Sequence, residues 1–330
     1  MNRKLIETSM LIIGSGLAAQ VAKLRNPSAA MVDSSYIPGG LYAQIETPLG
    51  LFSRCPAFSE NPLPGFIETE IDVVWLKEGY YEDKVYAYED RDLFQRPRFL
   101  DLVINIERSR RAYFSLTPLK NLIDRPRSPI TANIRVIDLE RNVAALSNGI
   151  IVRFNRIIYT WPLDRLPMLI RPLDKELQEL LSELRTLTSV RIFVSMLIVK
   201  NVEKLRSDVI TLFLHGTKAS RLHTIIAIPL SKQFHLLYVF TSFGPRYGLL
   251  PGIIEKFFSE LRKFLKVKAR NIVDEYHYEY SYLALSKISE ELWKNLLTEF
   301  KKRGIRLWGR LGLWREMGIS SITSSFLNDF

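Results

Sequence analysis

Cysteine is almost absent from this 330-residue chain: Cys55 stands alone, beside four scattered histidines. One thiol excludes an intrachain disulfide, a thiol pair and a cysteine-based zinc site, and the histidines offer no close-spaced pair, so no bound metal is expected. A reducing, cytoplasmic location is the corresponding expectation. No uninterrupted apolar segment reaches the roughly 18 residues of a membrane-spanning helix, which leaves peripheral membrane contact open. Internal repeats and low-complexity linkers are also missing. Asn2-Arg3-Lys4 ahead of an apolar stretch has the look of a secretory leader, but Glu7 and the Gly14-Ser15-Gly16 break count against it.

What is present is a chain long enough for two domains, or for one large nucleotide-binding domain carrying an insertion. An apolar fraction of 47% with 25% charged residues indicates a folded protein. The net charge of +11 is uneven: residues 1–90 hold 7 Lys/Arg against 12 Asp/Glu, residues 91–127 hold 9 against 4, and the rest 30 against 19. A basic surface attracts nucleic acid, anionic lipid or anionic small molecules. Here the basic residues are dispersed and no recognition module is visible, which argues against nucleic acid. An ion-paired surface accounts for the same composition.

The most informative segment is residues 9–19, an apolar run opening into Gly14-x-Gly16-x-x-Ala19, with Asp33 closing the next apolar run. Gly14 permits a tight turn off a strand, Gly16 lets backbone approach a pyrophosphate, and Ala19 lets the following helix pack closely. Phosphate then meets the free N–H groups of the helix N-terminus. Asp33 follows Gly14 by 19 residues, near the spacing of roughly 20 at which a carboxylate meets a ribose hydroxyl. Small residues also make ordinary strand-to-helix turns, so context has to carry the motif.

That context is extended by Gly39-Gly40, a loop where backbone can crowd a ligand. Residues 45–65, with four prolines, read as extended loop. Short strands are expected over 66–85, a helix over 96–106 and a basic exposed stretch over 108–128. A strand, a hairpin at Ser147-Asn148-Gly149, a returning strand and a buried strand ending at Thr160-Trp161-Pro162 follow. Helices are predicted over 173–186, 251–267 and 289–303, and strands near 192–199, 210–214, 224–229, 235–243 and 305–308. Gly309-Arg310-Leu311-Gly312 reads as a turn.

The tail, from the 289–303 helix through Gly309-Arg310-Leu311-Gly312 to Gly318-Ile319-Ser320, resembles the C-terminal flavin-binding segment of UDP-galactopyranose mutases and of the protoporphyrinogen oxidase and amine oxidase flavoproteins. With the Gly14 motif, Asp33, Gly39-Gly40 and the 148–162 segment, the resemblance covers about half the chain. It implies an α/β fold: a Rossmann-like, glutathione-reductase-type FAD-binding domain with an inserted antiparallel-sheet and helix substrate domain. The implied boundaries are 1–60, 110–165 and 300–330 for the FAD domain, and 61–109 and 166–299 for the insertion.

Carried onto this sequence, the resemblance implies FAD with its pyrophosphate on Gly14, Ser15, Gly16, Ala18 and Ala19. Adenosine ribose falls to Asp33 and Ser34, and adenine to the backbone of Ile134. Gly39, Gly40 and Leu41 line the path to the flavin, Gly309 and Arg310 flank the diphosphate and ribityl chain, and backbone near Gly318, Ile319 and Ser320 faces the flavin N1 and O2 edge. A helix N-terminus there favours the anionic reduced flavin, although Ser320 or Ser321 also suits a plain N-cap. Pro38 departs from the polar or basic residue common in relatives. Arg54 and Arg221 are the candidate substrate-side residues, and Arg221 equally suits a surface hairpin.

The leading expectation is an FAD-dependent oxidoreductase moving a hydride from a small-molecule substrate to flavin N5, the cofactor supplying the redox chemistry. A second is a non-redox mutase using reduced flavin, to which an anionic nucleotide-sugar would suit the basic excess. A third is a flavin-binding scaffold or subunit without turnover of its own. The substrate, the electron acceptor, any catalytic base and oligomerisation are left open.

Overall fold

The apolar run Met10–Ile13 is the central strand of a five-stranded sheet. This computed structural model describes residues 4–77, 110–123, 125–184, 186–215, 222–243, 253–285, 288–314 and 319–328. The predicted 96–106 helix, Arg221 and Gly318 lie outside the described residues. Five described helices have eight residues or more: α1 (Leu17–Arg25), α2 (Lys175–Ser182), α3 (Ile253–Leu265), α4 (Glu290–Lys302) and α5 (Ile319–Asn328). None of them is long and apolar enough to cross a membrane.

Across the five-stranded sheet the order is Ile305–Leu307, Arg156–Tyr159, Met10–Ile13, Ala30–Asp33, Ile130–Thr131. Every neighbouring pair is parallel. Parallel strands are covered on both faces and read as unbroken apolar runs; Leu11, Ile12 and Ile13 accordingly have no solvent exposure. The chain leaves the central strand through α1 to one neighbour and returns much later to the other. Such a reversal of strand order is where doubly wound sheets bind ligands, at the carboxyl ends of the strands.

A second sheet covers one face. Ile134–Asp138, Val143–Leu146 and Ile151–Arg153 form an antiparallel meander, extended by Leu5–Glu7 and Ile170–Arg171 in parallel pairs. Leu11, Ile13, Ile157 and Tyr159 meet Ile137, Ala144 and Val152 there, together with Leu177 and Leu181 of α2 and Leu292, Leu296 and Phe300 of α4. The i, i+4, i+8 spacing on α4 puts its three apolar residues on one stripe. Both helices start on side-chain caps: Asp174 Oδ1 accepts from the Leu177 N–H at 2.8 Å and Ser289 Oγ from the Leu292 N–H at 3.0 Å. Arg303, just past α4, donates to both Asp174 and Glu299 and so ties the two helices together.

The chain divides into two compact units, one made of residues 1–45, 117–186 and 285–330, the other of 46–116 and 187–284. The second holds an eight-stranded sheet ordered Ile272–Leu285, Thr186–Lys200, Phe234–Phe243, Leu222–Pro229, Ile210–His215, Ile67–Lys77, Arg111–Ser115, Ala57–Ser59. It is antiparallel where 186–200, 234–243, 222–229 and 210–215 adjoin, and parallel between 210–215 and 67–77. One face packs on α3 through Leu197, Val199, Phe213, Val239, Leu261 and Leu265. On that face Ser195 Oγ lies 2.8 Å from His277 Nδ1, and the imidazole stacks on Phe193.

Several expectations need correction. Residues 45–65 are not all loop: short strands run over Gln44–Thr47, Gly50–Ser53 and Ala57–Ser59, with all four prolines outside them, because proline lacks the ladder N–H. The unit boundaries differ from 60, 110, 165 and 300. Residues 46–60 and 110–116 join the second unit because Ala57–Ser59 pairs with Arg111–Ser115 in its sheet. Residues 166–186 and 285–299 join the first, since α2 and α4 cover its core. Arg54, expected in the FAD-binding part, therefore belongs to the second unit.

Backbone and Arg303 hydrogen bonds hold the Asp174 carboxyl below the usual range, and Lys302 and Arg303 do the same for Glu299. Folded values lower than unfolded ones add stability at neutral pH that disappears as pH falls through the folded values. Acid titration of urea-unfolding free energy is expected to show this loss below the ordinary carboxylate range. Asp174→Asn, which keeps the cap but not the charge, should flatten part of it.

Candidate functional site

Three distant segments converge at the carboxyl end of the parallel sheet. Gly14 follows the central strand at φ 113°, and a Cβ there would sit 2.1 Å from Thr160 Oγ1. Thr160 is fixed in turn, since its backbone N–H and its hydroxyl both donate to the Ile13 carbonyl, at 3.1 and 2.6 Å. Gly309, at φ 72°, brings its Cα against Ala18 of α1: an added Cβ would lie 2.6 Å from the alanine methyl. A Cβ on Gly312 would meet the Tyr159 carbonyl oxygen at 2.3 Å, and Trp308 N–H donates to that oxygen at 2.9 Å. α5 packs on α1. The head, the middle and the tail of the chain are thus locked together by close backbone approach.

Gly16 behaves differently. It is the N-cap of α1 with φ −65° and ψ −179°, a conformation open to any residue, and a Cβ there would meet nothing within 4 Å among the described residues. The fold makes no demand for glycine at this position. Gly16 also supplies no side-chain cap, and no acidic residue occupies the first turn of α1. The first N–H groups of a helix have no intrahelical acceptor, and together with the helix dipole they make this terminus an anion site. Space beside a glycine that the protein does not need, in front of uncapped N–H groups, is what a bound pyrophosphate requires.

The surrounding residues close round the same point. Gly39 N–H donates to the Ser15 carbonyl at 2.7 Å, and Gly39 bridges Gly16 in parallel. Gly40 starts the short helical turn Gly40–Tyr42, which contains the half-buried Leu41. Asp33, at the end of its strand, accepts from the Ser35 N–H at 2.9 Å and the Ser34 hydroxyl at 3.4 Å, both through Oδ1. Among the described residues Oδ2 accepts no hydrogen bond. Ala132 N–H donates to the Asp33 carbonyl at 2.9 Å, which carries the chain to buried Ile134 two residues on.

The structure therefore gathers Gly14, Ser15, Gly16, Ala18, Ala19, Asp33, Ser34, Gly39, Gly40, Leu41 and Ile134 in one unit, with Gly309, half-buried Arg310 and Ile319 and Ser320 of α5. Gly309–Gly312 is a single helical turn rather than the turn expected. Arg54 is in the other unit, its guanidinium 4.8 Å from the Tyr278 ring centroid. Two residues were missed. Thr160 holds Gly14, and buried Gln20 clasps the Arg127 backbone, donating at 2.7 Å and accepting at 2.8 Å. A glutamine in an otherwise apolar helix stretch was the available signal.

Two glycines in one motif thus separate structural need from ligand need. Gly14→Ala is expected to lower unfolding free energy in urea by about 2 kcal/mol or more, through strain and overlap. Gly16→Ala should change it by less than about 1 kcal/mol, the scale of a cap substitution.

No protein-family model matches the chain, and no curated protein matches it in sequence. Solved structures do match in fold. A reduced UDP-galactopyranose mutase superposes with a TM-score of 0.65 at 14% identity, covering 96% of this chain and 93% of its own. A CLA-producing fatty acid isomerase from P. acnes gives 0.62 at 10% identity, covering 98% and 97%. A putrescine oxidase redesigned in cofactor binding gives 0.50 at 10%, covering 83% and 85%. The chain has the mixed α/β fold these proteins share.

Proposed function

We propose that a chain with this fold is an FAD-dependent enzyme acting on a small molecule, with FAD held in the first unit. The observation that carries the reading is Gly16: a glycine without structural cause, at an uncapped helix N-terminus on the strand-order reversal of a parallel sheet. FAD, when bound, supplies hydride acceptance at N5, and the protein supplies binding and orientation. Backbone over 14–19 would hold the pyrophosphate, Asp33 Oδ2 a ribose hydroxyl, and the backbone at Ile134 the adenine. Gly39, Gly40, Leu41, Gly309 and Arg310 would border the rest of the dinucleotide. The N-terminus of α5 would place positive dipole toward the flavin.

In this reading the first unit is a glutathione-reductase-type FAD-binding domain, and the second is its inserted substrate domain. The main reaction is hydride transfer from substrate to flavin. A second reading, net isomerisation with flavin kept reduced, has its own support: the mutase and the isomerase each match this chain over nearly its whole length and theirs, whereas the oxidase covers less.

The purified protein is expected to be yellow with close to one flavin per chain, and Gly16→Val to lose that flavin by filling the space in front of α1 while remaining folded. Flavin absorbance and circular dichroism on the same samples check both. A colourless wild type that also fails to take up added FAD contradicts the proposal. Anaerobic bleaching by amines or alcohols supports oxidation, and ligand binding only after chemical reduction supports isomerisation.

A further inference from the structure

The second unit holds an arginine that has no counter-charge among the described residues. Arg54 is half-buried, and its Nε is shut off from solvent with no hydrogen-bond acceptor. One face of the guanidinium lies over the Tyr278 ring, 4.8 Å from its centroid. Among the described residues Arg54 has no carboxylate partner. Asp274, whose charge acts on Tyr278, is engaged elsewhere: Oδ2 accepts from the Tyr276 hydroxyl at 2.7 Å and Oδ1 from the Glu275 N–H at 2.9 Å. Burial pushes the Tyr278 hydroxyl up to about 12 against the opposing pull of Arg54, so Tyr278 is a neutral phenol and gives Arg54 an aromatic face but no charge.

The backbone that presents Arg54 is firmly held. Fully buried Tyr238 donates its hydroxyl to the Ser53 carbonyl at 2.6 Å, and Ser53 N–H donates to the Leu116 carbonyl at 2.9 Å. Ser53 Oγ is itself enclosed and without a partner. A guanidinium donor withheld from water and given no acceptor costs free energy, and buried charges are ordinarily paired. Stacking on an aromatic ring is favourable for a cation, but it satisfies no N–H. A guanidinium is a planar fork that matches an oxyanion through two parallel bonds.

We propose that Arg54, backed by Tyr278, binds the oxyanion of the enzyme's substrate, a carboxylate or a phosphate, through its guanidinium. This rests on the flavoenzyme reading for the word substrate, but not for the binding itself.

Benzoate and inorganic phosphate, titrated separately by calorimetry into flavin-loaded protein in low-chloride buffer, test it. At least one is expected to bind, with affinity falling tenfold or more in Arg54→Gln and not recovering in Arg54→Lys, which keeps the charge but loses the fork. Binding of benzoate marks an acid substrate, and binding of phosphate a phosphorylated one. Arg54→Met is expected to melt at a higher temperature than wild type without anion, because it removes an unsatisfied charge, and to gain no stability when anion is added. Flavin content should match wild type in all three variants. Anion affinity unchanged in Arg54→Gln, or no binding of either anion to wild type at millimolar concentration, overturns the site. Arg54-dependent binding in protein that takes up no flavin overturns the flavoenzyme reading and leaves the anion site standing.

Discussion

Close approach of glycine backbone to neighbouring segments at the carboxyl end of the parallel sheet is the constraint on which the first unit depends. Gly14 against Thr160, Gly309 against Ala18 and Gly312 against the Tyr159 carbonyl leave no room for one added carbon at any of the three contacts. Interiors are packed so densely that such contacts cannot be relaxed by small shifts. The consequence is that residues near 14, 160 and 310 fit only in one mutual arrangement. The strand Ile305–Leu307 can pair with Arg156–Tyr159, and α5 can pack on α1, only because these glycines let the last segment descend onto the first.

Against that tight background the openness around Gly16 stands out as a different kind of glycine. The same motif mixes a glycine that the packing requires with one that it does not, and sequence spacing cannot tell them apart. Asp33 shows a similar division within a single side chain, Oδ1 organising the turn at Ser34 and Ser35 and Oδ2 left over. In the second unit the imbalance is one of charge: Arg54 is held at an aromatic face by well-anchored backbone and has no acceptor at its Nε. Donors without acceptors recur at both places, as uncapped amides in one and a guanidinium in the other.

Identities of 10–14% with proteins that superpose over most of the chain follow from what the fold needs. Side chains in an apolar strand can be exchanged for others of similar volume at little cost. A glycine at positive φ under a neighbouring side chain cannot.

Much of the architecture was legible before any coordinates, for physical reasons that differ by element. The strands of 192–199, 224–229 and 235–243 announce themselves as β-branched and aromatic runs, and α3 as an apolar stripe, because periodicity is a local consequence of burial. The short strands between prolines in 45–65 were missed, since three or four residues carry no period. The sequence by itself determined that a strand, a glycine turn, a helix and an acid follow one another at the start of the chain, because each of those preferences acts over a few bonds. Only tertiary structure decided that Arg54 belongs with the eight-stranded sheet, that α2 and α4 cover the first unit, and that Gly14 is enforced by Thr160 whereas Gly16 is enforced by nothing in the protein. Those facts rest on which distant segments exclude one another's atoms, and excluded volume between residues more than a hundred positions apart leaves no mark on local composition.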